Sequence, residues 1–509
     1  MRHKDEFDCI SFAIIKRNRR YMKSKKERIN REDMAEQSQR TELSRRLTKV
    51  IPSSRQLSWQ ELEFTAFFHY GMNTFTDREW GSGKEDPAWF EPKALNTDQW
   101  CEALVSAGIQ GCIITAKHHD GFCLWDTAYT DHSVMHSPFG KDIVGMLAES
   151  CRKYHIKFGI YLSPWDRHEP TYGYGKAYND YFCSQLEELL TKYGPVYTVW
   201  FDGACGEGIN GRKQEYDWER YYALIRRLQP EAVISVCGPD VRWCGNEAGL
   251  CRKSEWSVVP ARLFSQKSIS ENSQKEDNAA FRERTLSSQD EDLGSRSIME
   301  GEKEWIWYPA EVDTSIRPGW FYHEREEPKP LEKLLQIYLN SVGGNSVLLL
   351  NIPPCKDGYL AEKDCKRLKE IGDFIRGTFS CNLAETACME GLPFDGICYR
   401  PQGEPEADGM PPLSLTLTWS REIQAQWIVL QEYIADSQRV EAFLIEAEGP
   451  DGTWETVFTG TVIGYKKICY LDQVISARRM RITFTEYRMY PTLKFAGVYG
   501  PAESMKEYV

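Results

Sequence analysis

The sequence of 509 residues lacks several features that mark common functional classes. Its apolar stretch near the N-terminus, Cys9–Ile15, is too short for a membrane span and is followed by no small-residue cleavage site. No GxGxxG fingerprint follows the first apolar run and no GxSxG elbow occurs, which argues against dinucleotide binding and against a serine hydrolase. The sixteen cysteines show no compact zinc or disulfide spacing, and several lie in apolar segments, as thiols do in a reducing compartment. We therefore expect a cytoplasmic protein without membrane insertion.

The chain has fewer basic than acidic residues. The chain carries 63 Lys and Arg against 75 Asp and Glu, for a formal net charge of −12. This balance argues against nucleic acid and anionic membranes as partners. The basic residues that do cluster lie between Arg2 and Arg46. We expect residues 1–50 to form a solvated, poorly ordered extension.

Short apolar runs alternate with amphipathic stretches after Pro52. The runs are Thr65–Gly71, Gly111–His119, Phe158–Trp165, Tyr197–Ala204, Ala232–Gly238, Ser257–Val259 and Ser346–Ile352. Helices are predicted between them, near residues 97–106, 143–154, 178–193, 218–228 and 332–341. Strand-length runs separated by helix-length stretches predict parallel strands with crossover helices, and the length fits a (β/α)8 barrel over residues 51–378. The polar stretch Ser265–Glu300 is predicted to be a long loop or insertion.

The pattern changes from about Phe379. Apolar and polar residues now alternate between turn signals such as Pro450-Asp451-Gly452. The alternating segments are Leu413–Trp419, Trp427–Glu432, Val440–Glu446, Trp454–Val457, Lys467–Tyr470 and Met480–Phe484. This pattern predicts a C-terminal antiparallel β-sandwich over residues 379–509, either a structural partner of the barrel or a carbohydrate-binding module.

Polar residues end the predicted barrel strands, where a parallel barrel carries its catalytic groups. They are His69, Lys117–Asp120, Ser163–Asp166, Asp202 and Pro239-Asp240. No metal or cofactor is predicted, because adjacent histidines on a strand point to opposite sides and no third zinc ligand accompanies His69. Carboxylates with histidines and aromatic rings are what glycoside cleavage needs, namely a nucleophile, a general acid and walls for the sugar.

Asp202 is the best candidate for the nucleophile. It follows the apolar run Val199–Phe201 and precedes Gly203, so it is expected at the end of a buried strand where the backbone turns. An aspartate at a strand end can equally cap a helix, and the residues alone leave both interpretations open.

Three segments carry a resemblance to a known family. WFDGA at Trp200–Ala204, FFHYG at Phe67–Gly71 and KHHDGF at Lys117–Phe122 resemble glycoside hydrolase family 29, the α-L-fucosidases. GNEAG at Gly245–Gly249 and SIRPGWFYH at Ser315–His323 further resemble the subgroup that prefers α-1,3- and α-1,4-linked fucose on branched, Lewis-type glycans.

The resemblance implies roles for individual residues. It makes Asp202 the nucleophile and Glu247 the acid/base of a retaining double displacement, with a fucosylated oligosaccharide or glycoconjugate as the substrate. It assigns fucose binding to His69, Glu79, Trp80, His118, His119, Tyr161 and Trp320. Asp166 and His168 are expected to border the site of the leaving group.

Other functions are compatible with the same residues. A catalytically silent carbohydrate-binding protein on this scaffold, a broad-specificity α-L-fucosidase and another retaining exo-glycosidase with a barrel fold all stay open. Keeping both Asp202 and Glu247 argues against the silent protein, and the cluster of His69, His118 and His119 suits the hydroxyls of fucose.

Overall fold

The first part of the protein is a parallel barrel, seen in a computed structural model that describes residues 34–267, 269, 292–403 and 411–501. Numbered in chain order, its strands and those beside it are β1 Phe64–Phe68, β2 Gly111–Lys117, β3 Lys157–Leu162, β4 Thr198–Phe201, β5 Val233–Val236, β6 Arg242–Trp243, β7 Val258–Pro260, β8 Trp305–Trp307, β9 Ala310–Ser315 and β10 Ser346–Asn351. Eight of them form one sheet in the order β5-β4-β3-β2-β1-β10-β9-β6. A parallel bridge between Ser235 and Val241 brings the two ends of the sheet together. The predicted eight-stranded barrel is confirmed.

One predicted barrel strand was wrong. The run at Ser257–Val259 lies in β7, which pairs with β8 in a separate antiparallel ribbon. The sixth barrel strand is instead the two-residue β6, which pairs with β9 from Arg242 to Ala310 and from Trp243 to Glu311. A strand of two residues has no apolar run of its own, so periodicity could not find it.

Helices precede, connect and follow the strands of the barrel. They are α1 over residues 34–47, α2 Ser54–Gln60, α3 Met72–Thr76, α4 Thr97–Ala107, α5 Ile143–Tyr154, α6 Lys176–Lys192, α7 Trp218–Leu228, α8 Arg296–Met299, α9 Leu331–Ser341 and α10 Glu362–Phe379. Local chemistry sets their starts: Asn96 accepts a hydrogen bond from the backbone of Gln99 before α4, and Asp142 accepts one from Gly145 before α5. The five predicted helices are present, with bounds shifted by at most two residues.

Part of the predicted basic extension is folded. Residues 1–33 lie outside the described part of the chain, but residues 34–47 are helical. Leu43 and Leu47 of this helix are buried in an apolar cluster with Val258, Met299 and Trp307. The prediction of disorder up to residue 50 was therefore wrong for α1. The many charged residues of this segment obscured an apolar helix face, which packs against the β7–β8 ribbon.

The polar insertion is described only at its edges. Residues 268 and 270–291 lie outside the described residues, while α8 forms near its end. Arg296 of α8 pairs with Glu441 at 2.7 Å in the C-terminal part of the chain. Within the described ranges, no helix is long and apolar enough to span a membrane.

The C-terminal part confirms the predicted antiparallel pairing, with the strands expected to form a β-sandwich joined in one sheet. Its strands are β11 Cys388–Glu390, β12 Leu413–Glu432, β13 Val440–Glu448, β14 Trp454–Gly460, β15 Lys467–Tyr487 and β16 Leu493–Tyr499. The predicted strands Leu413–Trp419 and Trp427–Glu432 belong to one long strand, β12, and the predicted strands Lys467–Tyr470 and Met480–Phe484 belong to another, β15. A register shift between Thr418 and Ile423 interrupts the pairing of β12 with β15 without ending either strand. Trp427 and Tyr499 of this sheet pack against Phe374 and Phe379 of α10, so the sheet adjoins the barrel through aromatic contacts.

Candidate active site

One pocket lies at the carboxyl ends of the barrel strands. It opens to solvent, and the empty space between its walls, open solvent included, is about 630 Å³. The loops after β1, β2, β4, β6 and β9 bring together residues that are far apart in the chain, as expected for this end of a parallel barrel. The lining residues are Phe67, His69, Glu79, Trp80, His118, His119, Trp200, Asp202, Gly203, Ala204, Val236, Trp243, Glu247, Asp313 and Trp320.

Asp202 stands on the wall of this pocket, directly after β4. Its Oδ1 accepts a hydrogen bond from the backbone N–H of Ala204 at 2.8 Å, and its Oδ2 accepts one from the Tyr161 hydroxyl at 3.0 Å. Burial raises the pKa of Asp202 above its ordinary value, and the hydrogen bonds from Ala204, Tyr161 and Gly203 oppose that rise. Both oxygens are thus oriented by fixed donors, and the side chain still keeps 24% of its surface exposed toward the pocket.

Tyr161 has a different position from the one expected. It is fully buried and does not belong to the pocket lining. Its ring stacks on Trp200 at 5.3 Å and on His118 at 5.7 Å between ring centroids. Burial raises the pKa of Tyr161 well above its ordinary value, so the hydroxyl stays a donor to Asp202. Its position supports the carboxylate rather than a ligand.

His69 presents a hydrogen-bond acceptor to the pocket. Its Nδ1 lies 2.9 Å from the Oδ1 of Asn351, whose Nδ2 donates to the carbonyl of Trp320 at 2.7 Å. Because a carbonyl only accepts, the amide orientation of Asn351 is settled, so Nδ1 of His69 carries the proton and Nε2 has the lone pair. Burial lowers the pKa of His69 to about 4, so the ring is neutral near pH 7.

His118 presents a donor. The Nδ2 of Asn73 donates to the Glu79 carbonyl at 3.0 Å and lies 3.3 Å from Nδ1 of His118. Nδ1 of His118 is therefore the acceptor and its Nε2 carries the proton. Burial lowers the pKa of His118 well below its ordinary value. Neighbouring imidazoles of the pocket thus differ in hydrogen-bonding role.

His119 is held close to Asp202. Ser163 donates its hydroxyl proton to the Trp165 carbonyl at 2.6 Å and accepts from Nδ1 of His119 at 2.8 Å. Nε2 of His119 then carries a lone pair and lies 3.7 Å from Oδ2 of Asp202. Burial lowers the pKa of His119 to about 3. A ligand hydroxyl between these two acceptors could donate to either, which is an arrangement suited to a polyol.

The expectation that His118 and His119 point apart was wrong. One ring nitrogen of each and one oxygen of Asp202 lie within 4.8 Å of one another. The alternation of side chains does not apply, because β2 ends at Lys117 and both histidines follow it. Three potential metal ligands therefore converge here, and the absence of a metal stays a prediction.

Glu247 reaches the pocket from the loop after β6. The side chain of Asn246 ties that loop, accepting from the N–H groups of Ala248 and Leu250 at 3.1 Å each. Gly245 and Gly249 have φ angles of 104° and 80°, where a side chain would strain the backbone. The Glu247 carboxylate accepts a hydrogen bond from the indole N–H of Trp320 at 3.1 Å.

Glu79 and Trp320 form one unit. Oε2 of Glu79 accepts from the backbone N–H of Trp320 at 2.9 Å, and Oε1 accepts from that of Phe321 at 3.3 Å. The Trp320 ring lies 5.0 Å from that of His69. Trp80, next to Glu79, meets His119 edge to face at 5.3 Å. The predicted residues His69, Glu79, Trp80, His118, His119, Asp202, Glu247 and Trp320 thus all line one pocket.

Asp166 and His168 do not line the pocket. Asp166 is buried and pairs with Lys117 at 2.8 Å. Burial would raise the pKa of Asp166, but the Lys117 charge and hydrogen bonds outweigh it and lower that pKa. His168 stacks on His132 at 3.9 Å, and its Nδ1 lies 2.8 Å from the Gly83 carbonyl. Both residues brace the loops behind the pocket instead of bordering a leaving group, since strand-end position does not say which way a side chain faces.

Sequence reasoning missed two acids of β9. Asp313 lines the pocket and accepts from the indole of Trp243 at 2.7 Å, while Glu311 accepts from the indole of Trp200 at 2.7 Å. Burial raises the pKa of Asp313 to about 8 and that of Glu311 to about 7. The two acids alternate with other residues inside the strand AEVDTS. Neither stands at a strand end, where catalytic residues were expected. When Asp313 is protonated, it adds no negative charge to the surroundings of the buried Asp202.

The arrangement is suited to a small polyhydroxylated ring. Four acids, three neutral imidazoles that differ in hydrogen-bonding role and several indole faces surround one open pocket. Aromatic faces pack on apolar C–H surfaces, and buried polar groups need ligand hydroxyls as partners.

Comparison with known proteins gives a consistent result. The family model described as Alpha-L-fucosidase matches residues 84–378. Alpha-L-fucosidase 1 of Arabidopsis thaliana is 39% identical over 472 residues, which cover 88% of this chain and 87% of the plant protein. A solved structure of an α-L-fucosidase candidate from Bacteroides ovatus is 43% identical with a TM-score of 0.79, covering 92% of this chain and 77% of that one. A Ruminococcus gnavus GH29 fucosidase solved in complex with fucose is 29% identical with a TM-score of 0.74, covering 90% of this chain and 96% of that one.

Proposed function

The chain belongs to the α-L-fucosidases of glycoside hydrolase family 29, and on that premise we propose that it removes terminal α-1,3- and α-1,4-linked L-fucose from branched glycans with retention of configuration. The single observation that carries the proposal is the presence of two oriented carboxylates, those of Asp202 and Glu247, in one pocket that also holds three neutral imidazoles. Fucosylated oligosaccharides or glycoconjugates are the proposed substrates.

Asp202 is the proposed nucleophile. The N–H of Ala204 and the hydroxyl of Tyr161 hold its two oxygens, so little reorientation is needed before attack. In the first step an Asp202 oxygen forms a bond to the anomeric carbon as the bond to the leaving oxygen breaks. The product is a fucosyl ester of Asp202.

Glu247 is the proposed acid/base. In the first step its carboxyl proton passes to the departing oxygen, and in the second step its carboxylate takes a proton from water as the water displaces Asp202. The Trp320 indole orients Glu247 from the side. This scheme expects the two carboxyl groups at a separation of roughly 5–5.5 Å.

Fucose recognition is assigned to the neutral rings. Nε2 of His69 and of His119 accept protons from sugar hydroxyls, and Nε2 of His118 donates to a hydroxyl oxygen. The Trp320 indole packs on the apolar face and methyl group of fucose. Because these imidazoles are uncharged, they bind hydroxyls without adding a cation beside the developing oxocarbenium ion.

The linkage preference rests on two motifs. GNEAG carries Glu247 and SIRPGWFYH carries Trp320, and the two side chains contact each other at 3.1 Å. That contact supports treating the motifs as one functional unit at the acid/base side of the pocket, where the leaving group must lie in a displacement opposite Asp202.

The test measures fucose release from a Lewis-type trisaccharide and from 2′-fucosyllactose. We expect cleavage of the trisaccharide, loss of activity in Asp202→Ala, and wild-type rates in Asp472→Ala, a control at an exposed position on β15. Equal cleavage of both substrates would keep the family and remove the linkage preference. No release from either by folded protein would favour a silent sugar-binding protein.

Azide separates the two catalytic roles. With an activated aryl α-fucoside, azide should restore turnover of Asp202→Ala and give a β-fucosyl azide, because it attacks opposite the leaving group. With Glu247→Ala, azide should intercept the ester of Asp202 and give the α-fucosyl azide. Initial release of β-fucose by the wild type, followed by NMR, would contradict retention.

A further inference from the structure

A chain of hydrogen bonds leads from the protein surface to Glu247. In its inner part, Glu79 accepts a hydrogen bond from the backbone N–H of Trp320 at 2.9 Å, and the Trp320 indole donates to Glu247 at 3.1 Å. The Asn351 side chain holds the Trp320 carbonyl at 2.7 Å. The position of the Trp320 ring therefore depends on where the Glu79 carboxylate lies.

His323 clamps that carboxylate from the other side. Its Nε2 lies 2.7 Å from Oε1 of Glu79, and its Nδ1 lies 2.7 Å from Oδ1 of Asp77. Both ring nitrogens face carboxylates, so both are donors only when the ring is an imidazolium. The hydrogen bond to Glu79 raises the pKa of His323 to about 9 against the effect of burial, with Asp77 and Glu326 adding to the rise. Around Asp77, the charged side chains are those of His323, Lys356 and Arg325.

We propose that His323 is a positioning residue that sets the orientation of Glu247 through Glu79 and Trp320. The proposal rests on the acid/base role of Glu247 given above. His323 does not itself line the pocket; it contacts Glu79, which does, and it acts on Glu247 through this chain of contacts.

The physical reason is the burial of Glu79. Its side chain is only 9% exposed, and a buried carboxylate that loses its imidazolium partner must take up a proton or turn toward water. Either change weakens the hydrogen bonds to the N–H groups of Trp320 and Phe321. The Trp320 indole then loses its fixed place, and Glu247 loses its directional donor.

The test compares substrates with poor and good leaving groups. A Lewis-type trisaccharide needs protonation of its leaving oxygen, whereas an activated aryl α-fucoside does not. In His323→Ala we expect kcat/KM to fall by about 10- to 100-fold for the trisaccharide and clearly less for the aryl fucoside, whose loss reports only the weaker packing of Trp320 on fucose. His323→Gln, which can still donate to Glu79, should recover part of the loss.

Two further variants supply a milder perturbation and a matched control. Asp77→Asn acts on His323 from a side chain that is 71% exposed, and asparagine tolerates the φ of 57° at this position, so the fold is kept. It should show a smaller loss with the same dependence on leaving group. His136→Gln is the matched control, since His136 also faces an aspartate, Asp131 at 3.4 Å, but lies outside the pocket, and it should match the wild type.

The pH profile gives a second readout. A donor or a nearby cation favours an ionised carboxylate, so losing both favours protonated Glu247. The alkaline limb of kcat/KM for the trisaccharide should therefore move to higher pH in His323→Ala, and by less in His323→Gln, which keeps a donor to Glu79.

Equal losses on both substrates with an unmoved alkaline limb would overturn the proposal and leave His323 with a merely structural role. Unchanged kinetics in His323→Ala would overturn it as well. Glu247→Gln is measured alongside, because a Glu247 variant without leaving-group dependence would refute the acid/base assignment itself.

Discussion

The hydroxyl of Tyr161 is one of the donors that favour the ionised form of Asp202, and Tyr161→Phe isolates its effect. The substitution removes one hydroxyl from a fully buried ring and leaves its stacking on Trp200 intact. Asp202 loses the donor at 3.0 Å on Oδ2 and keeps the N–H of Ala204 at 2.8 Å on Oδ1. The perturbation is therefore confined to one hydrogen bond to the charged form of the nucleophile.

The size of the effect follows from that bond. A hydrogen bond to a charged group contributes about 1.5–3 kcal/mol, and one pKa unit corresponds to about 1.4 kcal/mol. The pKa of Asp202, already raised by burial, should rise by about 1–2 further units. Asp202 attacks only when ionised, so the acid limb of the kcat/KM profile should move upward by the same amount.

The assay is kcat/KM for an activated aryl α-fucoside across the acid range. Tyr154→Phe is the control, because its hydroxyl also donates to a carboxylate, that of Glu102 at 2.6 Å, but on the exposed surface. An unchanged acid limb in Tyr161→Phe would refute the reasoning. A uniform loss at all pH values would instead indicate a contact between the hydroxyl and the transition state.

Two other predictions concern stability and charge state. Lys117→Met should lower the free energy of unfolding by about 3–5 kcal/mol in denaturant titrations, because it leaves Asp166 buried without its ion-pair partner. Lys153→Met, which removes an exposed ion pair, should have no measurable effect. Equal free energies of unfolding for the two variants would contradict the account. His69 and His119 should stay neutral between pH 5 and 8, since their pKa values are lowered to about 4 and about 3; ring ¹⁵N shifts that titrate in this range would contradict it.

The strands β1 to β5 could be read from the sequence. Barrel strands are buried on both sides, so each of them is a nearly continuous apolar run, and the polar residue after it marks the catalytic end. That rule found His69, His118, His119 and Asp202. It found them because strand burial and strand polarity are local properties of the chain.

The same rule did not separate pocket residues from supporting ones. Tyr161, Asp166 and His168 also lie near a strand end, yet the first supports Asp202 and the other two brace neighbouring loops. Which way a side chain faces at a strand end depends on where the strand stops and on its neighbours. Neither is encoded in an apolar run.

Glu247 was found by resemblance alone. It lies in a loop after a two-residue strand, without an apolar run to announce it. Asn246 shapes that loop, and Trp320, 73 residues later in the chain, orients the carboxylate. A lone loop carboxylate looks like solvent-exposed surface until its distant partner is known.

The sequence by itself determined the barrel, the antiparallel pairing of the C-terminal strands and the pocket residues that follow β1, β2 and β4, since periodicity and strand-end chemistry are local. Only the tertiary structure decided their charge states and hydrogen-bonding roles. His69 is an acceptor because Asn351, 282 residues away, fixes its tautomer, and Asp313 holds its proton because burial removes water from it. Burial and partner choice arise when distant segments meet, so no local pattern contains them.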